Sequence, residues 1–188
     1  MLSSGMNKIQ LGDPLADATE VGPISNARQF EHVRQMLIDA NDAGADVLSR
    51  NTEDGQGYFV PPTILKGLSN TANAAQKEIF GPVVTAIPFD DEAEAIALAN
   101  ATDFGLAGAV WTADVSRAHR MAEAVRAGTF WINSYKAIHV SSPFGGSLNS
   151  GFGRSSGTDA LMEYTSAKSV WLDSAPKPRI APQGGLLV

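Results

Sequence analysis

Apolar positions along the chain switch repeatedly between helical spacing and short strand-like runs, the pattern of an α/β layer rather than of separate helical and sheet blocks. After Ser25 and Asn26, the residues Phe30, Val33, Leu37 and Ala40 recur at helical spacing while Asp39, Asn41 and Asp42 fall on other faces, and Gly44 is placed to stop the helix. A strand is predicted over 46–50, followed by a polar turn. An extended stretch over 58–65 carries Pro61 and Pro62, which do not suit a central strand. A short helix over 74–79 leads into three strand and helix alternations. Strands are predicted over 83–89, 107–111 and 129–132, and helices over 91–100 and 115–125. Asp91 and its acidic neighbours stand at the electropositive start of the first of these helices, and Asp114 is the N-cap of the second.

Strands this apolar, joined through helices by short connections, predict an α/β three-layer sandwich with a mostly parallel sheet covered on both sides. Residues 133–157 form a long Gly, Ser and Pro-rich segment without a period, a length that inside a compact domain is usually functional or disordered. A short helix over 158–164 and a final strand over 168–172 follow. The tail beyond, with Pro176, Pro178 and Pro182, reads as a loose arm. Two parts are therefore expected: 1–166, and a terminal strand and arm over 167–188.

The charge is that of a mildly acidic protein: 14 Lys and Arg against 20 Asp and Glu give a formal charge of −6 over 188 residues. Nucleic acids and anionic membranes call for a basic footprint, so neither is an expected partner. No apolar run reaches the length of a membrane span and the N-terminus lacks the pattern of a signal peptide, so a cytoplasmic protein is expected. The sequence holds no cysteine. Disulfide scaffolds, thiolate metal sites and cysteine nucleophiles within these residues are thereby excluded.

Several motif matches carry no chemistry. Gly153-Arg154-Ser155-Ser156-Gly157 fits a nucleophile elbow, but no strand is predicted to feed it and His32, His119 and His139 all precede it. Gly151-Phe152-Gly153 with Gly157 is one residue too long for a dinucleotide fingerprint, and Asp103-Phe104-Gly105 is an isolated tripeptide. The three histidines have no metal-ligand spacing, and no metal is expected.

Two segments stand out. In Gln76-Lys77-Glu78-Ile79-Phe80-Gly81-Pro82-Val83 a carboxylate and an aromatic precede an apolar strand. Glu78 held there can accept two hydrogen bonds from a vicinal diol and Phe80 can pack on a flat ring; a solvated Glu and a core Phe would read the same way. The second runs from Asn133-Ser134-Tyr135 through Pro143-Phe144-Gly145-Gly146 to Gly153-Arg154. It reads equally as the wall of an apolar pocket or as an irregular covering loop.

Together these segments resemble the aldehyde dehydrogenase superfamily. The likeness also runs through Gly12-Asp13-Pro14, Val21-Gly22-Pro23-Ile24, the stretch from Ala99 to Thr112, Ala127-Gly128-Thr129-Phe130-Trp131-Ile132-Asn133, Ser150-Gly151-Phe152-Gly153-Arg154 and Tyr164-Thr165. It implies an NAD(P)-dependent oxidation of an aldehyde to a carboxylic acid. In that likeness Glu78 binds the nicotinamide ribose of NAD or NADP and Phe80 packs near the nicotinamide ring. Asn133 shapes the base of the site, and Phe144 and Ile138 line the aldehyde tunnel. Residues 168–172 resemble a strand that completes an intersubunit sheet, so a homodimer or higher oligomer is expected. Leu148, Phe104 and Ser166 replace residues that are commonly Lys, Tyr and acidic, and Ile138 replaces what is often an aromatic. The family's cysteine nucleophile, glutamate base and N-terminal cofactor domain have no counterpart here. The resemblance thus implies a C-terminal portion, inactive alone, with a self-associating or binding module as the alternative.

Overall fold

The computed structural model describes residues 2–49, 57–172 and 174. A short helix α1 (Leu2–Met6), which the apolar pattern does not announce, opens the chain. The first long helix, α2 (Ala27–Asp42), forms where predicted: Asn26 Oδ1 accepts from the Gln29 N–H at 2.9 Å, and Gly44 takes φ +89° just past its end. Its buried stripe is Val33, Met36 and Ala40, with Phe30 and Leu37 packed at the margin.

Beneath α2 lie β1 (Asp46–Ser49), β2 (Thr63–Lys66) and β3 (Val83–Ala86), in the order β1-β2-β3. β1 runs antiparallel to β2, and β2 runs parallel to β3 with Thr63 opposite Val83. The prolines that argued against a central strand stop one residue short of it, so β2 is central after all: Thr63 is its first residue and Leu65 is fully buried. The core gathers here, around Val33, Met36, Val60, Leu65, Leu68 and Ile79. A four-residue helix α3 (Asn73–Gln76) is shorter than predicted, leaving Lys77 onward extended.

From β3 the chain crosses through α4 (Glu92–Asn100) to β4 (Ala107–Val110), then through α5 (Val115–Ala124) to β5 (Thr129–Ile132). β4 and β5 pair in parallel with each other and, among the described residues, with no other strand. The expected parallel sheet is therefore present as two pieces. Both predicted N-caps form: Asp91 accepts from the Glu94 N–H at 2.8 Å and Asp114 from the Arg117 N–H at 3.1 Å. The two helices are joined by Glu92, which receives a bidentate pair from Arg120 (2.6 and 2.8 Å) and a third bond from Arg117 at 3.2 Å. Arg120 foremost, with Arg117 behind it, holds the Glu92 carboxyl down to about 2 from its ordinary 4.5.

The segment from 133 to 157 holds no helix or strand, only turns and isolated bridges, and a short helix α6 (Ala160–Glu163) follows it. The strand expected over 168–172 is not part of any ladder: Val170, Trp171 and Leu172 are 80%, 89% and 90% exposed. A strand needs a neighbour to donate to, and none lies beside these residues among those described. The turn expected after β1 and most of the expected C-terminal arm lie outside the described residues.

Candidate functional site

Residues 77–82 form a strap at the mouth of β3, and its shape is fixed from α2. Phe80 sits at φ +52°, a left-handed conformation uncommon for a residue with a side chain. Gln29 Nε2 donates to the Ile79 carbonyl at 2.9 Å and to the Phe80 carbonyl at 3.3 Å, which holds the backbone in that conformation. Gly81 lies so close to Val33 that a Cβ there would stand 2.9 Å from both Val33 methyl carbons. The chain is pressed against α2, Ile79 turns inward at 8% exposure, and the Phe80 ring turns outward at 69%. Phe80 is thus not a core residue. Glu78 is exposed on the same strap, and its carbonyl oxygen lies 3.5 Å from His32 Nε2. Gln29 and His32 escaped the reading of the sequence because their partners are backbone atoms about fifty positions away, a relation no local spacing encodes.

The second group stands at the end of β5. Asn133, at φ +52°, accepts from the Thr112 N–H through Oδ1 and donates to the Thr112 carbonyl through Nδ2, each at 2.8 Å. Its side-chain amide imitates a peptide group and adds a rung beyond the β4–β5 ladder. The loop beyond it leans on Trp131, whose Nε1 donates to the Ala137 carbonyl at 2.8 Å and whose ring meets Tyr135 edge-on at 5.5 Å. Ile138 is 62% exposed.

Phe144 is half-buried and exchanges both backbone hydrogen bonds with Ser155, at 2.7 and 2.8 Å. This bridge closes the Gly-rich loop, and Arg154 locks it by donating to the Gly146 and Gly153 carbonyls, each at 2.7 Å. A cleft of about 420 Å³ opens here, lined by Phe144, Phe152, Arg154, Glu163 and Tyr164. The glycines of the sequence motifs meet in one knot: the Gly105 carbonyl accepts from the Gly128 and Ser147 N–H groups at 3.0 Å each, and a Cβ on Gly128 would overlap the Gly145 carbonyl oxygen.

The five residues singled out in the sequence thus fall into two sets on different sheet pieces. Glu78 and Phe80 lie before β3; Asn133, Ile138 and Phe144 lie beyond β5. The first set presents a carboxylate and a ring to solvent, suited to a diol and a flat heterocycle. The second presents apolar side chains on a loop tied down by glycines and by the Asn133 clamp. Among the described residues no cluster of three His, Cys, Asp or Glu side chains is placed to hold a metal ion.

Parallel crossover units carrying a carboxylate-bearing strap at one strand mouth and an apolar loop beyond another strand define an α/β domain. A family model described as the aldehyde dehydrogenase family matches residues 1–170, and the chain belongs to that family. It is 43% identical over 170 residues to a betaine aldehyde dehydrogenase of Rhizobium leguminosarum bv. trifolii, covering 88% of this chain and 35% of that protein. It is 41% identical over 180 residues to a (Z)-2-((N-methylformamido)methylene)-5-hydroxybutyrolactone dehydrogenase of Acinetobacter baylyi, covering 94% and 37%. Among solved structures, a betaine aldehyde dehydrogenase of Staphylococcus aureus in complex with NAD+ superposes with a TM-score of 0.82 at 36% identity, covering 87% of this chain and 33% of that one. The P. syringae indole-3-acetaldehyde dehydrogenase with NAD+ and IAA gives 0.86 at 39%, covering 91% and 35%. The chain spans about a third of the length of the relatives it matches.

Proposed function

We propose that the chain is the C-terminal portion of an NAD(P)-dependent aldehyde dehydrogenase, that it supplies the nicotinamide-ribose clamp and part of the aldehyde tunnel, and that it is inactive by itself. The carrying observation is the strap: an exposed carboxylate, Glu78, two residues from an exposed ring, Phe80, on a backbone held at positive φ by Gln29. These residues fit the nicotinamide half of the cofactor, because a ribose offers two adjacent hydroxyls to one carboxylate and the heterocycle offers a face to a ring. When bound, the cofactor takes up the hydride that leaves the aldehyde carbon.

This chain's own residues orient and exclude. Glu78 accepts from the ribose hydroxyls, Phe80 backs the ring, and Phe144 and Ile138 present apolar walls that keep water from the aldehyde. Asn133 shapes the base of the site by clamping the loop to Thr112. No residue here provides the thiolate that covalent aldehyde oxidation requires, since the sequence holds no cysteine. The substrate class is a small aldehyde, as the names of the relatives suggest, and residues 1–166 form the partial catalytic domain.

The test has two arms. The purified chain with NAD+ and betaine aldehyde is expected to form no NADH by absorbance, and turnover above the buffer rate refutes the inactivity. Nicotinamide mononucleotide, titrated while backbone amide resonances are followed, is expected to shift those of residues 77–81, and Glu78→Gln to weaken the effect; shifts elsewhere only would remove the strap from the reading. A second reading, a self-associating module derived from the fold, draws on the exposure of Val170, Trp171 and Leu172. Sedimentation that finds only monomer at high concentration would count against it.

A further inference from the structure

Where parallel strands alternate with helical crossovers, ligands settle in the crevice outside the carboxyl ends of the strands. β3 ends at Ala86 and β4 at Val110, and just past these ends Phe89 and Trp111 flank a cleft of about 260 Å³. Its floor is apolar and half-buried, formed by Ala95 of α4, Val110 of β4 and Met121 of α5. The two aromatic side chains at its rim face water, Phe89 at 59% and Trp111 at 64% exposure, so packing within the described residues does not account for them. Glu78, Phe80, Asn133, Ile138 and Phe144 do not line this cleft. Its one link to the groups described above is Thr112, which Asn133 clamps.

The polar side of the cleft is negative: Asp90, Asp91 and Glu92 line it against Arg117, three carboxylates to one guanidinium. Three of these four groups are already engaged. Asp91 caps α4, and Arg117 donates through Nε to Glu92, which also holds Arg120. Asp90 differs: its N–H donates to Glu94 at 2.6 Å, but its exposed carboxylate has no partner among the described residues. A free carboxylate beside two solvent-facing aromatic rings suits a cation, because the ring quadrupoles and the carboxylate attract positive charge together. A quaternary ammonium suits it better than a primary one, whose compact charge is strongly hydrated and costly to bring onto an apolar floor. The volume lies below that of pockets for drug-sized ligands, so the ligand is small.

We propose that the cleft between Phe89 and Trp111 binds a small quaternary ammonium compound, with the cation seated against the two aromatic rings and the Asp90 carboxylate. Arg117 does not oppose it, since that guanidinium is matched by Glu92, and the electropositive start of α4 is already answered by Asp91. This site is separate from the nicotinamide clamp and the aldehyde tunnel, and stands whether or not those roles hold.

Choline is the probe, titrated into the chain while backbone amide and indole N–H resonances are followed. Saturable shifts are expected at the Trp111 indole N–H and at the amides of Phe89, Asp90 and Thr112. The uncharged isostere of choline, with carbon in place of nitrogen, is expected to bind about tenfold more weakly. Trp111→Ala and Asp90→Asn, both at exposed positions, are each expected to weaken choline about three- to tenfold. Leu15→Lys, exposed and not part of the cleft, is expected to leave binding unchanged. An N-acetylated lysine amide, standing in for a lysine of a protein partner, is expected to bind more weakly than choline; tighter binding by it would replace the small ligand with a partner surface and overturn the proposal. Absence of saturation, equal binding of the isostere, or shifts confined to residues outside the cleft overturns it as well.

Discussion

Phe80 sits at a backbone conformation that costs a residue with a side chain about 1 kcal/mol, and its ring faces water. Packing gives no reason for a phenylalanine there. Phe80→Gly relieves the strain and adds a comparable loss of unfolded-chain entropy, so its melting temperature is expected to stay within a few degrees of the parent while nicotinamide mononucleotide binding is lost. Calorimetry and titration together check this. Gly128 is the opposite case: Gly128→Ala drives a methyl into the Gly145 carbonyl and is expected to destabilise the fold by at least about 1–3 kcal/mol, read by denaturant midpoint. Phe104 and Leu148, two residues that the resemblance marks as unusual, are partners in one antiparallel bridge. The identity of each residue was legible in the sequence; their adjacency was not, because forty-odd positions separate them.

Helices α2, α4 and α5 were legible because their signals are local: an Asn or Asp cap at each, an apolar stripe followed by a glycine stop for α2, and acidic residues in the first turn for α4. What escaped was pairing. β2 was misjudged because proline forbids a donor only at its own position, and Pro61 and Pro62 end before the ladder begins. The tie between α4 and α5 carries its own pH signature. Glu92 has its carboxyl held at about 2 by Arg120 and then Arg117, below the 4.5 it takes when unfolded. A depressed acid stabilises fully above its unfolded value, so this contribution is complete above about pH 4.5 and is lost as pH falls towards 2. Thermal melts of the parent and Glu92→Gln are expected to differ at neutral pH and to converge at the acid end of that window. A constant offset would mean that the ion pair is not its source.

At the scale of the molecule, the sequence pointed correctly to an α/β chain of one family, and the core shows why its architecture was harder to read. Among the described residues, buried apolar side chains cluster around α2 and the first sheet piece, whereas the second piece contributes only Ala118. Apolar periodicity reports which residues want burial, not whether a partner is present to bury them. An unequal core predicts unequal stability: hydrogen exchange on the chain alone is expected to be slowest at β2 and α2 and markedly faster at β4, β5 and α4. Uniform protection would contradict it. The exposed Val170-Trp171-Leu172 segment is expected to drive self-association that weakens when Trp171→Ser is introduced, measured by sedimentation over a concentration series.

The Asn133 clamp gives the chain a chemical lifetime as well as a shape. Its Nδ2 faces the Thr112 carbonyl, and hydrolysis of that amide would set a carboxylate oxygen against the carbonyl it now serves. Asparagine is among the side chains that heat degrades soonest. Ageing at this single atom would unfasten the loop bearing Ile138 and Phe144 while leaving every other contact chemically intact.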